Sequence, residues 1–158
     1  MGFRIYYLDH GKTLRRRMNK TGSTKNTLEV YLKGKTIFSS RGKWLTPLME
    51  LDGFLQTCRC NPTELTVQDK IVGQAAALLL KRLRIGYVKA HIMSRPAKET
   101  LERNMISHGF DLLVERIDCR TEEMFLHETD AGKVYRFVKA KMSGGVQKSP
   151  GKQGNNKY

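Results

Sequence analysis

The stretch Asp69-Lys-Ile-Val-Gly-Gln-Ala-Ala-Ala-Leu-Leu-Leu80 most constrains what this chain can fold into, because no other segment is as long and as apolar. From Ile71 to Leu80 only Gln74 is polar. A helix over this run therefore has no wide polar face and has to be covered on more than one side. Asp69 reads as its N-cap, a carboxylate able to accept from the unpaired amides of the first turn. Lys81, Arg82 and Arg84 place positive charge near the negative end of the helix dipole. Gly73, Ala76 and Ala77 recur at helical spacing as a thin stripe for close packing, and Leu79, Leu80 and Leu83 supply bulk.

The elements around this helix follow from their own signals. Leu28 to Leu32 and Thr36 to Ser39 are β-rich runs on either side of Lys33-Gly34-Lys35, a hairpin pattern. Thr46-Pro47 opens a helix, with Thr46 as cap and the proline in its first turn, and Leu48, Leu51, Leu55 and Cys58 share one face of it. Arg59 to Gln68 reads as a connecting loop and Gly86 as the end of the buried helix. Tyr87 to Met93 is a strand with Val88, Ala90 and Ile92 on one side. Pro96 to Ile106 is a helix capped by Ser94, with Ala97, Leu101 and Met105 inward. Asp111 to Ile117 is a further strand, and Ala131 to Lys141 a last helix. Helices between successive strands predict an α/β sandwich whose sheet is at least partly parallel, with helices on both faces.

Charge divides the chain differently. Residues 1–26 carry seven Lys or Arg against one Asp, and residues 139–158 carry five Lys and no acid, so the ends hold +11 of the net +14. The expected organisation is a basic, largely disordered arm over 1–26 with a strand or turn near Tyr6, an α/β domain over 27–141, and a disordered basic tail over 142–158. Met18 is an alternative first residue. Such ends give weak, non-specific binding to nucleic acid by counterion release, or simply keep a domain soluble. Three cysteines, two of them at Cys58 and Cys60, do not form a disulfide framework in a chain of this length, which points to a reducing, cytoplasmic compartment. Cys58 reads as a helix-end core residue and Cys60 as a loop thiol. No run approaches the roughly 18 apolar residues of a membrane span, the N-terminus lacks an apolar signal core, and Tyr6 stands where a myristoylation motif needs Ser or Thr.

Three segments together, Ser40-Arg-Gly-Lys-Trp-Leu-Thr-Pro-Leu-Met-Glu-Leu51, Asp69 to Leu80 and Ser94-Arg-Pro-Ala-Lys-Glu-Thr-Leu101, resemble an uncharacterised bacterial and archaeal family, a domain of unknown function whose fold is similar to that of cytidine deaminases. The resemblance spans about Leu28 to Ile117 and implies a cytidine-deaminase-like three-layer sandwich. It implies no activity. Further on, the family carries Asn-Arg and then Cys-Pro-Met-Glu, where this chain has Asp118-Cys119-Arg120 and, soon after, Glu123-Met124.

A zinc deaminase needs His-x-Glu at one helix start and Pro-Cys-x-x-Cys at the next, so that three ligands and an acid/base group meet one metal-bound water. Here the corresponding positions read Asp69-Lys70-Ile71 and Arg95-Pro96-Ala97-Lys98, and neither Cys58, Cys60 and Cys119 nor His91 supplies the spacing of a metal site. The expected domain is metal-free and without a cofactor, and no catalytic residue is assigned. In a deaminase-like fold the two helix starts point into one pocket. Asp69 and Lys70 from one side, Ser94 and Arg95 from the other, and Lys43 from the loop after the hairpin would then form a site for a small anionic, nucleotide-like ligand. Equally, Asp69 and Ser94 serve as helix caps, with Lys70 and Arg95 in solvent. The rival functional expectation is a nucleic-acid-associated protein that binds through its basic arms. Elemental analysis of the purified protein is expected to find no stoichiometric zinc, and about one zinc per chain would overturn this reading.

Overall fold

The computed structural model describes residues 26–144 in full, together with the backbone of two strands nearer the N-terminus, Arg4–Asp9 (β1) and Lys12–Arg16 (β2). Most of the expected disordered arm and tail therefore lies outside the described residues. Next come Leu28–Leu32 (β3), Lys35–Ser40 (β4), helix Thr46–Thr57 (α1), a 3-10 turn at Pro62–Glu64, Leu65–Val72 (β5) and helix Gln74–Arg82 (α2). The chain continues as Tyr87–Ser94 (β6), Arg95–Arg103 (α3), Ser107–Val114 (β7), Ile117–Asp118 (β8), Arg120–Phe125 (α4) and Ala131–Ser143 (α5).

The hairpin between β3 and β4 turns through Lys33 (φ 50°) and Gly34 (φ 79°), two consecutive residues with positive φ, as a two-residue turn matching strand twist requires. The main sheet has the order β4-β3-β5-β6-β7. β3 is antiparallel to both neighbours, and β5, β6 and β7 run parallel. A second sheet, β2-β1-β8, is antiparallel. The chain is thus an α/β protein with a mixed five-stranded sheet.

The central strand β5 differs from the expected loop and helix start. Asp69 lies inside this strand, paired with Leu28 of β3 and Ala90 of β6, and does not cap α2. The apolar run Ile71 to Leu80 hides the boundary: Ile71 and Val72 complete a strand, Gly73 is the N-cap in extended backbone, and the helix begins at Gln74. Leu65, Thr66 and Val67 had already supplied β-prone residues at alternating burial.

The helices also depart from expectation. The connections β5-α2-β6 and β6-α3-β7 move across the sheet in one direction, and right-handed crossovers in one direction put their helices on one face. Accordingly α1, α2, α3 and α5 contribute Leu48, Leu51, Leu78, Leu80, Ala97, Leu101, Val134 and Val138 to one continuous core, and among the described residues helices do not cover both faces. The other face is polar, with Gln68, Lys70, His91 and Asp111 exposed. A smaller apolar cluster of Ile71, Ile92, Leu112, Val114 and Ile117 sits apart from the main core, and Ile117 lies in β8, which pairs with β1. The alternation of faces slips by one residue at Lys70 and His91. Val67, Ala90, Val72 and Met93 all belong to the main core, whereas Ile71 and Ile92 belong to the smaller cluster.

Boundaries shift for local reasons. α3 stops at Arg103, so Met105 falls beyond it at φ 54° and is 93% exposed, not inward. The strand expected over Asp111 to Ile117 starts earlier, at Ser107, and breaks before Ile117. α1 is preceded by Leu45 without a side-chain cap, so Thr46 is helical and caps nothing. The sulfurs of Cys58 and Cys60 are bonded to each other, which replaces the expected pair of thiols. Among the described residues no helix is long and apolar enough to cross a membrane.

Gly86 has a reason other than ending α2, which stops at Arg82. A Cβ built on Gly86 would lie 1.9 Å from the Thr63 carbonyl oxygen, so the 3-10 turn can approach the start of β6 only at a glycine. Gly86→Ala is expected to destabilise the domain by about 2 kcal/mol or more in urea unfolding, whereas Gly53→Ala, where nothing lies within 4 Å, is expected to be neutral or stabilising.

Candidate functional site

Two helices, α2 and α3, start at the carboxyl ends of neighbouring parallel strands, where Val72 pairs with Met93. α2 is buried from Gln74 to Leu80, all but its last two residues, so its unpaired first-turn amides cannot turn to water. The partner comes from α4. Glu122 Oε2 accepts from the Gln74 backbone N–H at 2.7 Å. Glu122 is itself 2% exposed, and its other oxygen, Oε1, is buried with no hydrogen-bond partner among the described residues. Gly73 makes the approach possible, since a Cβ there would sit 2.6 Å from Glu122 Oε2.

Gln74 extends this contact into a network. Its side-chain amide donates to the Glu128 carbonyl at 2.8 Å, and its side-chain oxygen accepts from Thr100 Oγ1 at 2.8 Å. Gln74, Thr100 and Ser94 are all buried. Ser94 caps α3, its hydroxyl accepting from Ala97 N at 3.3 Å, as expected from the sequence. At the start of α4, Cys119 Sγ accepts from Glu122 N at 3.4 Å, and burial pushes the Cys119 thiol above its ordinary pKa, which keeps it protonated and a poor nucleophile.

The loop before α1 closes over the same helix. Trp44 adopts φ 58°, its indole N–H donates to Thr121 Oγ1 at 2.9 Å, its ring meets Phe137 edge-on, and it remains 41% exposed. A bulky residue with positive φ is uncommon and is held here by contacts at both ends of the ring. Lys43, beside it, is exposed.

The sequence-derived candidates separate in the structure. Ser94 stands at the start of α3. Arg95 donates to Glu115 through both Nε and Nη2 (3.1 and 2.8 Å), an exposed pair that leaves its guanidinium engaged. Lys70 is exposed on the polar face of the sheet. Asp69, one residue earlier, falls in one cross-strand row with Ser40, Leu28, Ala90 and Phe110 on the helix-bearing face. Its carboxyl is pushed up to about 7 by desolvation, against the opposing effect of the Ile71 and Lys70 amides. Sequence reasoning missed Glu122. The signal was present: Cys119 and Glu122 keep the three-residue spacing of the Cys-Pro-Met-Glu segment, although Arg120 and Thr121 replace its middle. Among the described residues no group of three His, Cys, Asp or Glu is placed to hold a metal ion.

A family model described as TM1506, a domain of unknown function (DUF1893), matches residues 17–142. The crystal structure of a DUF1893 family protein, TM1506, from Thermotoga maritima is similar with a TM-score of 0.65 and 27% identity, over 74% of this chain and 81% of that one. No curated protein matches the chain.

Asp69 yields a pH prediction. Between about pH 4 and 7 the folded carboxyl keeps a proton that the unfolded one has released, so its contribution to stability falls as pH rises through this window and is lost above it. Asn cannot ionise. In thermal melts the Asp69→Asn variant is therefore expected to gain on wild type from pH 5 to 8, by up to about 4 kcal/mol and less in proportion to the water that reaches the carboxyl. Parallel pH profiles for the two proteins would refute a proton-retaining Asp69.

Proposed function

This chain belongs to the DUF1893 family, and we propose that it is a small-molecule-binding domain on a deaminase-like scaffold, with its site where α2, α3 and α4 begin. The observation that carries the reading is the free, buried Oε1 of Glu122. A buried carboxylate oxygen without a donor is costly, by about 1–3 kcal/mol or more, and a bound ligand or water is the usual reason one persists. The mixed sheet and the helices rising from the ends of β5 and β6 support the scaffold, although the second helical layer of a three-layer sandwich is absent among the described residues.

The chemistry of the ligand follows from what Glu122 leaves open. Its carboxylate already occupies the α2 amide that a ligand anion would have used, so the group nearest Oε1 has to be a hydrogen-bond donor, an O–H or an N–H such as an amine, amide or nucleobase edge carries. An anionic part of the same ligand has cations outside this point, Lys43 in the loop and Arg120 at the start of α4, both exposed. Trp44 offers a flat surface on which a base can stack. A nucleotide-like molecule combines all three features. Asp69, with a proton to give or take near neutral pH, lies on the same face of the sheet.

The strongly basic ends support a separate reading, nucleic-acid association through residues outside the described domain. Such binding falls steeply with added salt, whereas a ligand held by Glu122 does not.

Mass spectrometry of small molecules released from the purified full chain, with thermal shifts across nucleosides and nucleotides, tests the proposal. Glu122→Gln keeps an acceptor for Gln74 N and is expected to cost only about 1 kcal/mol of stability while abolishing ligand retention or the thermal shift. Unchanged binding by that variant, or no retained molecule and no shift in the wild type, would sink it.

A further inference from the structure

A cavity of about 260 Å³ opens between α2, α3 and the segment leading to α5, lined by Leu78, Lys81, Thr100, Arg103, Asn104 and Thr129. We propose that it is a second site, for a phosphate-type anion, distinct from the one at Glu122. Its lining contains two cations and no carboxylate. On the same two helices, Arg82 and Lys98 pair with Asp52 and Glu102. Lys81 and Arg103 pair with no acid among the described residues, though both face one space. Two like charges share a cavity at a cost that an anion between them reverses.

The neutral lining fits the same ligand. Thr100 donates its hydroxyl proton to Gln74, and Asn104 donates one amide N–H to the Thr100 carbonyl at 2.7 Å, leaving its second N–H for the cavity. Thr129 adds a hydroxyl with no partner among the described residues, while its backbone N–H goes to Glu128 Oε1. Arg103 supplies a planar fork suited to phosphate oxygens and Lys81 a compact charge. The volume admits a phosphate or a small phosphate ester. Thr100 is the shared wall between this cavity and the Gln74 contact to Glu122, so the two sites touch through one buried hydrogen bond.

The competing account is that Lys81 and Arg103 merely complement the negative carboxyl ends of α2 and α3. Titration of the full chain with inorganic phosphate at constant ionic strength separates the two. Phosphate is expected to raise the melting temperature saturably, by about 2 °C or more at tens of millimolar, with chloride inert. Lys81→Met and Arg103→Met are each expected to weaken that effect about tenfold, whereas Glu122→Gln leaves it intact, so failure here and failure at Glu122 remain distinguishable. Arg103→Lys, which keeps the charge but not the fork, is expected to fall between. No phosphate-specific shift in the wild type, or variants that lose stability yet respond to phosphate as the parent does, would overturn the proposal.

Discussion

A helix that is buried at its first residue has to have its amides satisfied from within the protein, and the remainder of this structure is arranged around that requirement. α2 runs from Gln74 to Leu80 without meeting solvent, and the Glu122 carboxylate bonds its first N–H. Supplying that carboxylate needs α4 at the mouth of the sheet, Gly73 bare of a side chain, and Trp44 tied to Thr121 beside it. Removing the Glu122 carboxylate would leave at least one donor stranded in a low-dielectric interior, a loss larger than that of an ordinary surface bond.

The sheet divides the molecule into unequal halves. All the long helices gather on one face, where Leu, Val and Ala dominate, and the polar face carries an exposed cluster in which Asp111 meets Lys89 and His91 at 2.7 and 2.9 Å. Those two partners hold the Asp111 carboxyl below its ordinary pKa. Being exposed, the cluster contributes little to stability. It marks the row where the strands slip by one residue and redirect Ile71 and Ile92 toward the smaller cluster under β8.

How much of this was legible in the sequence depended on whether local chemistry or long-range contact decided each element. The hairpin at Lys33-Gly34, the strand at Tyr87, the Ser94 cap and the buried character of Ala75 to Leu80 were readable because each is set by residues within one turn or one pleat. β5 was not, because a fully buried strand running into a buried helix gives one unbroken apolar signal, and Gly73 was read as packing surface instead of a boundary. Met105 looked inward at helical spacing, but α3 ended two residues earlier. Glu122 escaped because its role rests on a contact to Gln74, 48 residues away, which no local pattern encodes. The candidate Asp69 was placed in the wrong element, yet desolvation among its strand neighbours leaves it the carboxyl with the highest shifted pKa among the described residues.

Trp44 is the sole tryptophan of the chain, and its indole N–H is fixed to the residue preceding Glu122. The protein therefore carries its own optical reporter, a single fluorophore half in water, with its dipole anchored to α4. Any molecule that stacks on that ring, or any loosening of α4, changes the polarity around the indole and so the colour and intensity of its emission. Occupancy can be followed in the native chain without a label.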